Sequence, residues 1–98
     1  MEQDKKIVAL RHKSRLWVFK QAILLEFKRE AGQWVCQMAD WPILGRGATP
    51  QEARKAMSEY FALAWDSVMP IPLDKLSGEG AKLKRRLENV VAEVQDGA

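Results

Sequence analysis

The chain has one cysteine and one histidine among its 98 residues, and each scarcity removes a class of function. A lone Cys36 closes no internal disulfide, and Cys36 with His12 falls short of the ligand set of a zinc site. No apolar run approaches the roughly 18 residues of a membrane-spanning helix, and the opening Met-Glu-Gln-Asp-Lys-Lys does not read as a secretory leader. A cytoplasmic protein with no membrane association is the expectation. Repeats and low-complexity segments are missing. So is a phosphate-binding glycine loop, because Gly45-Arg46-Gly47 lacks the further glycine and the Lys-Ser/Thr pair that hold a nucleotide. Asp40, Glu52 and Asp66 are too dispersed in the sequence to argue for an acid/base pair or a metal cluster. Cys36 reads as a small buried strand residue, not as a nucleophile served by His12. No catalytic residue, metal or cofactor is expected, and a binding module leads over an enzyme.

What is present is the composition of one folded domain, 47% hydrophobic and 30% charged. A chain of this length buries roughly 60–65% of the surface that its unfolded form exposes, enough for one core. The rest of the chain is organised around Gly47-Ala48-Thr49-Pro50-Gln51-Glu52 and the stripe behind it. Thr49 can cap the N–H of Glu52, and the Glu52 carboxylate can reach back to the N–H of Thr49, a capping box. Pro50 at the first helical position loses nothing by lacking an N–H. Ala53, Ala56, Met57, Tyr60, Phe61, Ala64, Trp65 and Val68 then recur on one face of a 3.6-residue helix, ~28 Å long and stopped by Pro70 and Pro72. This face is the expected core face.

Before that helix, Ala22–Phe27 and Gln33–Met38 flank a polar, Gly-containing turn, which is the pattern of a β-hairpin. Ile23, Leu25 and Phe27 share one face, and Trp34, Cys36 and Met38 alternate with Gln33, Val35 and Gln37. Leu24 makes the first strand apolar on its other face as well, so that face needs a cover from the C-terminal helix or a second subunit. A helix from Ser14 to Gly32, with Leu16, Phe19, Ile23, Leu24 and Phe27 on one side, fits the same residues, and periodicity alone leaves both readings open for residues 15–28. Ile7–Leu10 and Leu16–Phe19 are two further short apolar runs, and residues 1–6 read as a frayed start. In the loop Asp40-Trp41-Pro42, Trp41 is either a core plug or a contact for a partner, with the plug slightly favoured. Ser77-Gly78-Glu79-Gly80 reads as a flexible joint, and Leu83, Leu87, Val90, Val91 and Val94 form an apolar stripe on a helix from Ala81 to Val94. That helix is expected on the open face of the sheet or across a dimer interface, leaving Lys82, Lys84 and Arg85 toward solvent.

The net charge of +3 is unevenly spread: residues 1–20 carry +4, residues 21–69 carry −1, and residues 70–98 are balanced. Lys5, Lys6, Arg11, Lys13 and Arg15, with His12, form a basic arm, and Lys82, Lys84, Arg85 and Arg86 form a second cluster. Together they are the candidates for contact with nucleic acid.

Residues 22 to about 72 resemble the HicB-like antitoxin family. The resemblance is carried by Gly32-Gln33-Trp34-Val35-Cys36-Gln37-Met38, by Asp40-Trp41-Pro42, by Gly47-Ala48-Thr49-Pro50-Gln51-Glu52-Ala53, which matches that family's Gly-x-Thr-x-x-Glu-Ala, and by Ile71-Pro72 after the helix. Ala39 stands where the family usually has proline, and Ile43-Leu44 replace its common Gly-Cys. The resemblance implies an α+β fold like a truncated ribonuclease H: a small antiparallel sheet of three to four strands, one long helix packed across it and a second helix at the C-terminus. It divides the chain into an α+β domain, 1–72, with the basic arm, and a C-terminal helical segment, 73–98. It also implies a protein that binds and neutralises a small basic toxin-like ribonuclease, or acts as an orphan regulator, and that forms homodimers. Asp40, Trp41, Pro42 and Leu24 are then the candidates for the partner interface. The 26 residues after the domain leave room for one helix, too little for the DNA-binding module that family members often add.

Overall fold

The computed structural model describes residues 4–96; residues 1–3 of the expected frayed start, and residues 97–98, lie outside it. The fold is α+β. The strands β1 (Lys5–His12), β2 (Arg15–Glu30), β3 (Gln33–Met38) and β4 (Leu44–Gly47) precede helix α1 (Pro50–Val68). A short 3-10 turn at Leu73–Lys75, helix α2 (Gly78–Val90) and strand β5 (Val91–Asp96) follow. All strand pairs are antiparallel, in the order β1-β2-β3-β4, and β5 also pairs with β2.

The strand reading of residues 15–28 holds, and the helical one does not. Trp17, Phe19, Leu25 and Phe27 are the buried residues of β2, a period of two, and ladders run along both of its edges. On one edge lies β1. On the other, β5 takes Arg15–Phe19 and β3 takes Leu25–Glu30. The β2–β3 turn is Ala31-Gly32, both at positive φ (52° and 80°), as a two-residue hairpin with right-twisted strands requires. Between the pairs Ile7↔Ile23 and Ala9↔Val18 the register breaks, with Phe19–Ala22 standing opposite Val8 alone. Within that break Lys20, Gln21 and Ala22 have no ladder partner on either edge, and all three are exposed.

Two expectations about the C-terminal segment are corrected. Ser77-Gly78-Glu79-Gly80 is not a loose joint but a helix start, because the Ser77 hydroxyl accepts the N–H of Gly80 at 3.1 Å. The helix also ends at Val90 rather than Val94, and the chain continues as β5. A register shift in β5 puts Val91 opposite Phe19 and Val94 opposite Trp17, both core residues. Apolar residues three apart on a bulged strand imitate helical spacing, which is why the valines read as a helix. The same break spaces the buried Ile7 and Leu10 three apart on β1.

Helix α1 begins as its sequence dictates, with the Thr49 Oγ accepting the N–H of Glu52 at 3.1 Å. Its N-terminal half lies against β4 so closely that a Cβ on Gly45 would sit 2.1 Å from the backbone N of Met57, and one on Gly47 2.8 Å from that of Ala53. Only glycine permits that approach. The buried face consists of Ala53, Met57, Ser58, Phe61, Ala62, Ala64 and Val68. It is rotated from the expected stripe: Tyr60 is 49% exposed, Ala56 and Trp65 are half-buried, and Ser58 and Ala62 are inside. Phe61 is the centre of the core. Its ring meets Trp17 edge-on at 5.1 Å and Phe19 at 6.0 Å, and stacks on Trp65 at 6.4 Å, geometries worth about 0.5–1.5 kcal/mol each beyond burial. The Trp17 indole N–H is buried there without an acceptor among the described residues.

Helix α2 packs beside α1, not on the opposite side of the sheet. Leu87, fully buried, joins the same core cluster as Trp17, Leu25 and Phe61, with Leu83 and Val90 against it. The other face of the sheet therefore stays uncovered. Strand alternation puts Leu16, Val18 and Leu24 there, all half-buried and all outside the core cluster, and Val8 at the register break is 65% exposed.

Candidate functional site

The residues expected at a partner interface lie close together but divide between core and surface. Trp41 is the plug: its ring is 5% exposed and the Arg86 guanidinium stacks over it at 3.9 Å. Of the two readings of Trp41, the burial is that of the plug. Asp40 and Pro42 on either side are exposed, with Asp40 at φ 66°. Gln37 Nε2 donates to the Trp41 carbonyl at 2.9 Å and ties the loop down. Leu24 lies beside the loop, its carbonyl accepting the Ala39 N–H at 3.0 Å, but strand alternation puts its side chain on the open face of the sheet while the Trp41 ring is in the core.

The basic candidates divide by what they touch. The expected arm is not an arm: Lys5 to His12 is strand β1, and Lys13-Ser14 is the tight turn into β2. Arg15 is already engaged, donating from both terminal nitrogens to the Asp66 carboxylate of α1 at 2.7 and 2.8 Å. That bond raises the pKa of Arg15 and holds the Asp66 carboxyl below its usual range. Lys84 does not simply point to solvent; its ammonium donates to the carbonyl of Ile71. With Arg86 on Trp41, half of the second cluster is spent inside the fold, leaving Lys82 and Arg85 exposed. Lys5 and Lys6 are exposed at the start of β1.

Arg11, His12 and Lys13 remain, and they form one wall of an open cleft of about 620 Å³. The opposite wall is a stripe of α1 made by Gln51, Arg54, Lys55, Ser58 and Glu59, which are the i, i+3, i+4, i+7 and i+8 positions of a helix. Arg54 and Lys55 were not singled out from the sequence, because polar residues on an amphipathic helix read as its solvent side. The signal that could have found them is their position on the helix flank next to the buried face, with Ser58 buried just below. Among the described residues, none of Arg11, Lys13, Arg54 and Lys55 has a carboxylate within 4 Å.

Cys36 is fully buried, and burial pushes its thiol up to about 11, so it is held protonated and out of reach of a substrate. No three His, Cys, Asp or Glu side chains come together as a metal site among the described residues. No helix among them is long and apolar enough to cross a membrane. No protein-family model, curated protein or solved structure matches the chain.

Proposed function

We propose that this protein is a non-enzymatic interaction module of the HicB-like antitoxin kind, which pairs with a second copy of itself and binds a small toxin-like ribonuclease or serves as an orphan regulator. The observation that carries the reading is the one-sided sheet. Both helices cover one face, while the other presents Leu16, Val18 and Leu24 with Val8 beside them, and no element among the described residues lies over them. Aliphatic groups gathered on one face, half-buried at Leu16, Val18 and Leu24 and exposed at Val8, form the kind of patch that marks a contact surface. The Gly-x-Thr-Pro-x-Glu-Ala stretch, Gly47 to Ala53, is the motif on which the resemblance rests, and here Gly47 admits the helix and Thr49 caps it.

A chain of net charge +3 is not steered toward a basic partner by long-range attraction, so affinity in this reading comes from apolar contact. The test is a charge placed on the open face. Wild-type protein should run by light scattering at twice the 11.2 kDa of one chain, and Leu24→Glu should run as a folded monomer. A small ribonuclease that co-purifies with the wild type should be lost from the same variant. A monomeric wild type that recovers no such protein would overturn the reading.

A further inference from the structure

We infer that the cleft between the β1–β2 turn and α1 is a groove for the phosphate backbone of duplex nucleic acid. Four cationic residues line it, Arg11 at the end of β1, Lys13 in the turn, and Arg54 and Lys55 on the helix, against the single carboxylate of Glu59. None of them has a carboxylate within 4 Å among the described residues, whereas Arg15 is paired with Asp66, and Lys28 and Arg46 with Glu30. Four cations without a carboxylate partner among the described residues are thus gathered around one cavity. Charges at this density repel one another, and a polyanion that displaces its own counterions relieves that repulsion.

The dimensions favour a row of phosphates over one small anion. The α1 stripe from Gln51 to Glu59 extends about 12 Å along the helix axis at 1.5 Å per residue. The lining argues for duplex over single strand. Grooves for single strands pair cations with a series of aromatic rings on which successive bases stack, and this cleft is lined by no Phe, Tyr or Trp, the His12 imidazole being its one ring. What it offers is guanidinium and ammonium groups, which fix a backbone in place without reading bases. An acidic protein surface is the competing class of partner. It is disfavoured because the lining holds no apolar side chain to serve as the buried anchor that protein interfaces centre on.

Lys13 provides a variant that separates binding from folding. It sits at φ 56°, a conformation that glycine adopts without cost, so Lys13→Gly should fold at least as well as the wild type and still lose a cation. The experiment is a fluorescence-anisotropy titration of a labelled 20-base-pair duplex, DNA and RNA in separate arms, between 50 and 200 mM salt. Four neutralised phosphates give a log–log slope of about −3.6 on duplex DNA, a loss of about 150-fold in affinity over that range. Lys13→Gly should flatten the slope by about one, and Arg54→Gln with Lys55→Gln by about two. Lys82→Gln with Arg85→Gln on α2 should leave it unchanged. Binding of either duplex with this pattern sustains the inference. It is overturned by absence of binding at 50 mM salt, by slopes that the cleft variants do not alter, by preference for single strands, or by polyglutamate competing as well as the duplex.

Discussion

Val35 and Cys36 are neighbours on β3, 1% and 0% exposed, and they are buried by different means. Cys36 points into the core, in the same cluster as Phe61 and Met57. Val35 points to the other face and belongs to no core cluster. It pairs with Lys28 and Arg46, whose side chains meet Glu30 at 3.3 and 3.0 Å in a charged roof of long aliphatic stems. Equal numerical burial therefore hides unequal energetics: one face is dry and interlocked, the other is covered by solvated side chains that can move aside.

The largest expected effect is on the dry face. Phe61→Ala should lower stability by about 3–5 kcal/mol, because its neighbours Trp17, Phe19 and Trp65 are held from both layers and cannot close the void; urea melts measure it. A loss under about 1 kcal/mol would mean that the two faces do not differ as described. Second is alkaline pH. The Cys36 thiol ionises at about 9.0 in the unfolded chain and about 11 in the folded one, so its contribution is intact below the first value and fades as pH rises toward the second. Wild type should lose about 2 kcal/mol more than Cys36→Ala between pH 8 and pH 11. Leu24→Ala on the open face should cost less than about 1 kcal/mol in the monomer, since the side chain is already half in water. Smallest is the acid response of the ion pairs. Asp66 and Glu30 are held below the usual carboxylate range by Arg15 and by Arg46 with Lys28, so their stabilisation is complete above the unfolded values near pH 4 and is lost as pH falls through the folded ones. Both lie at the surface, and Asp66→Asn should shift the acid midpoint of unfolding only slightly.

The sequence carried helix α1, its cap, the β2–β3 hairpin and the plug at Trp41, because each is specified by local chemistry: a Thr-Pro start, a Gly turn, alternation over six residues. It did not carry β1, the first half of β2 or β5. Those strands exist through one another, and their apolar residues are spaced by register breaks that no local rule anticipates. The candidate cleft was half legible for the same reason. Arg11, His12 and Lys13 stood out as a run, whereas Arg54 and Lys55 join them only because α1 crosses the sheet where β4 has glycines.

The register break in β2 also sets how the molecule breathes. Lys20, Gln21 and Ala22 have no register partner on either edge, so deuterium should enter there faster than at the paired residues that flank them on the same strand. The longest strand is thereby two cooperative segments joined by an unlocked link: Arg15–Phe19 answers to β5 and the end of β1, Ile23–Glu30 to β3 and the beginning of β1. Either segment can open while the other stays closed, and residues 20–22 form a built-in parting line between them.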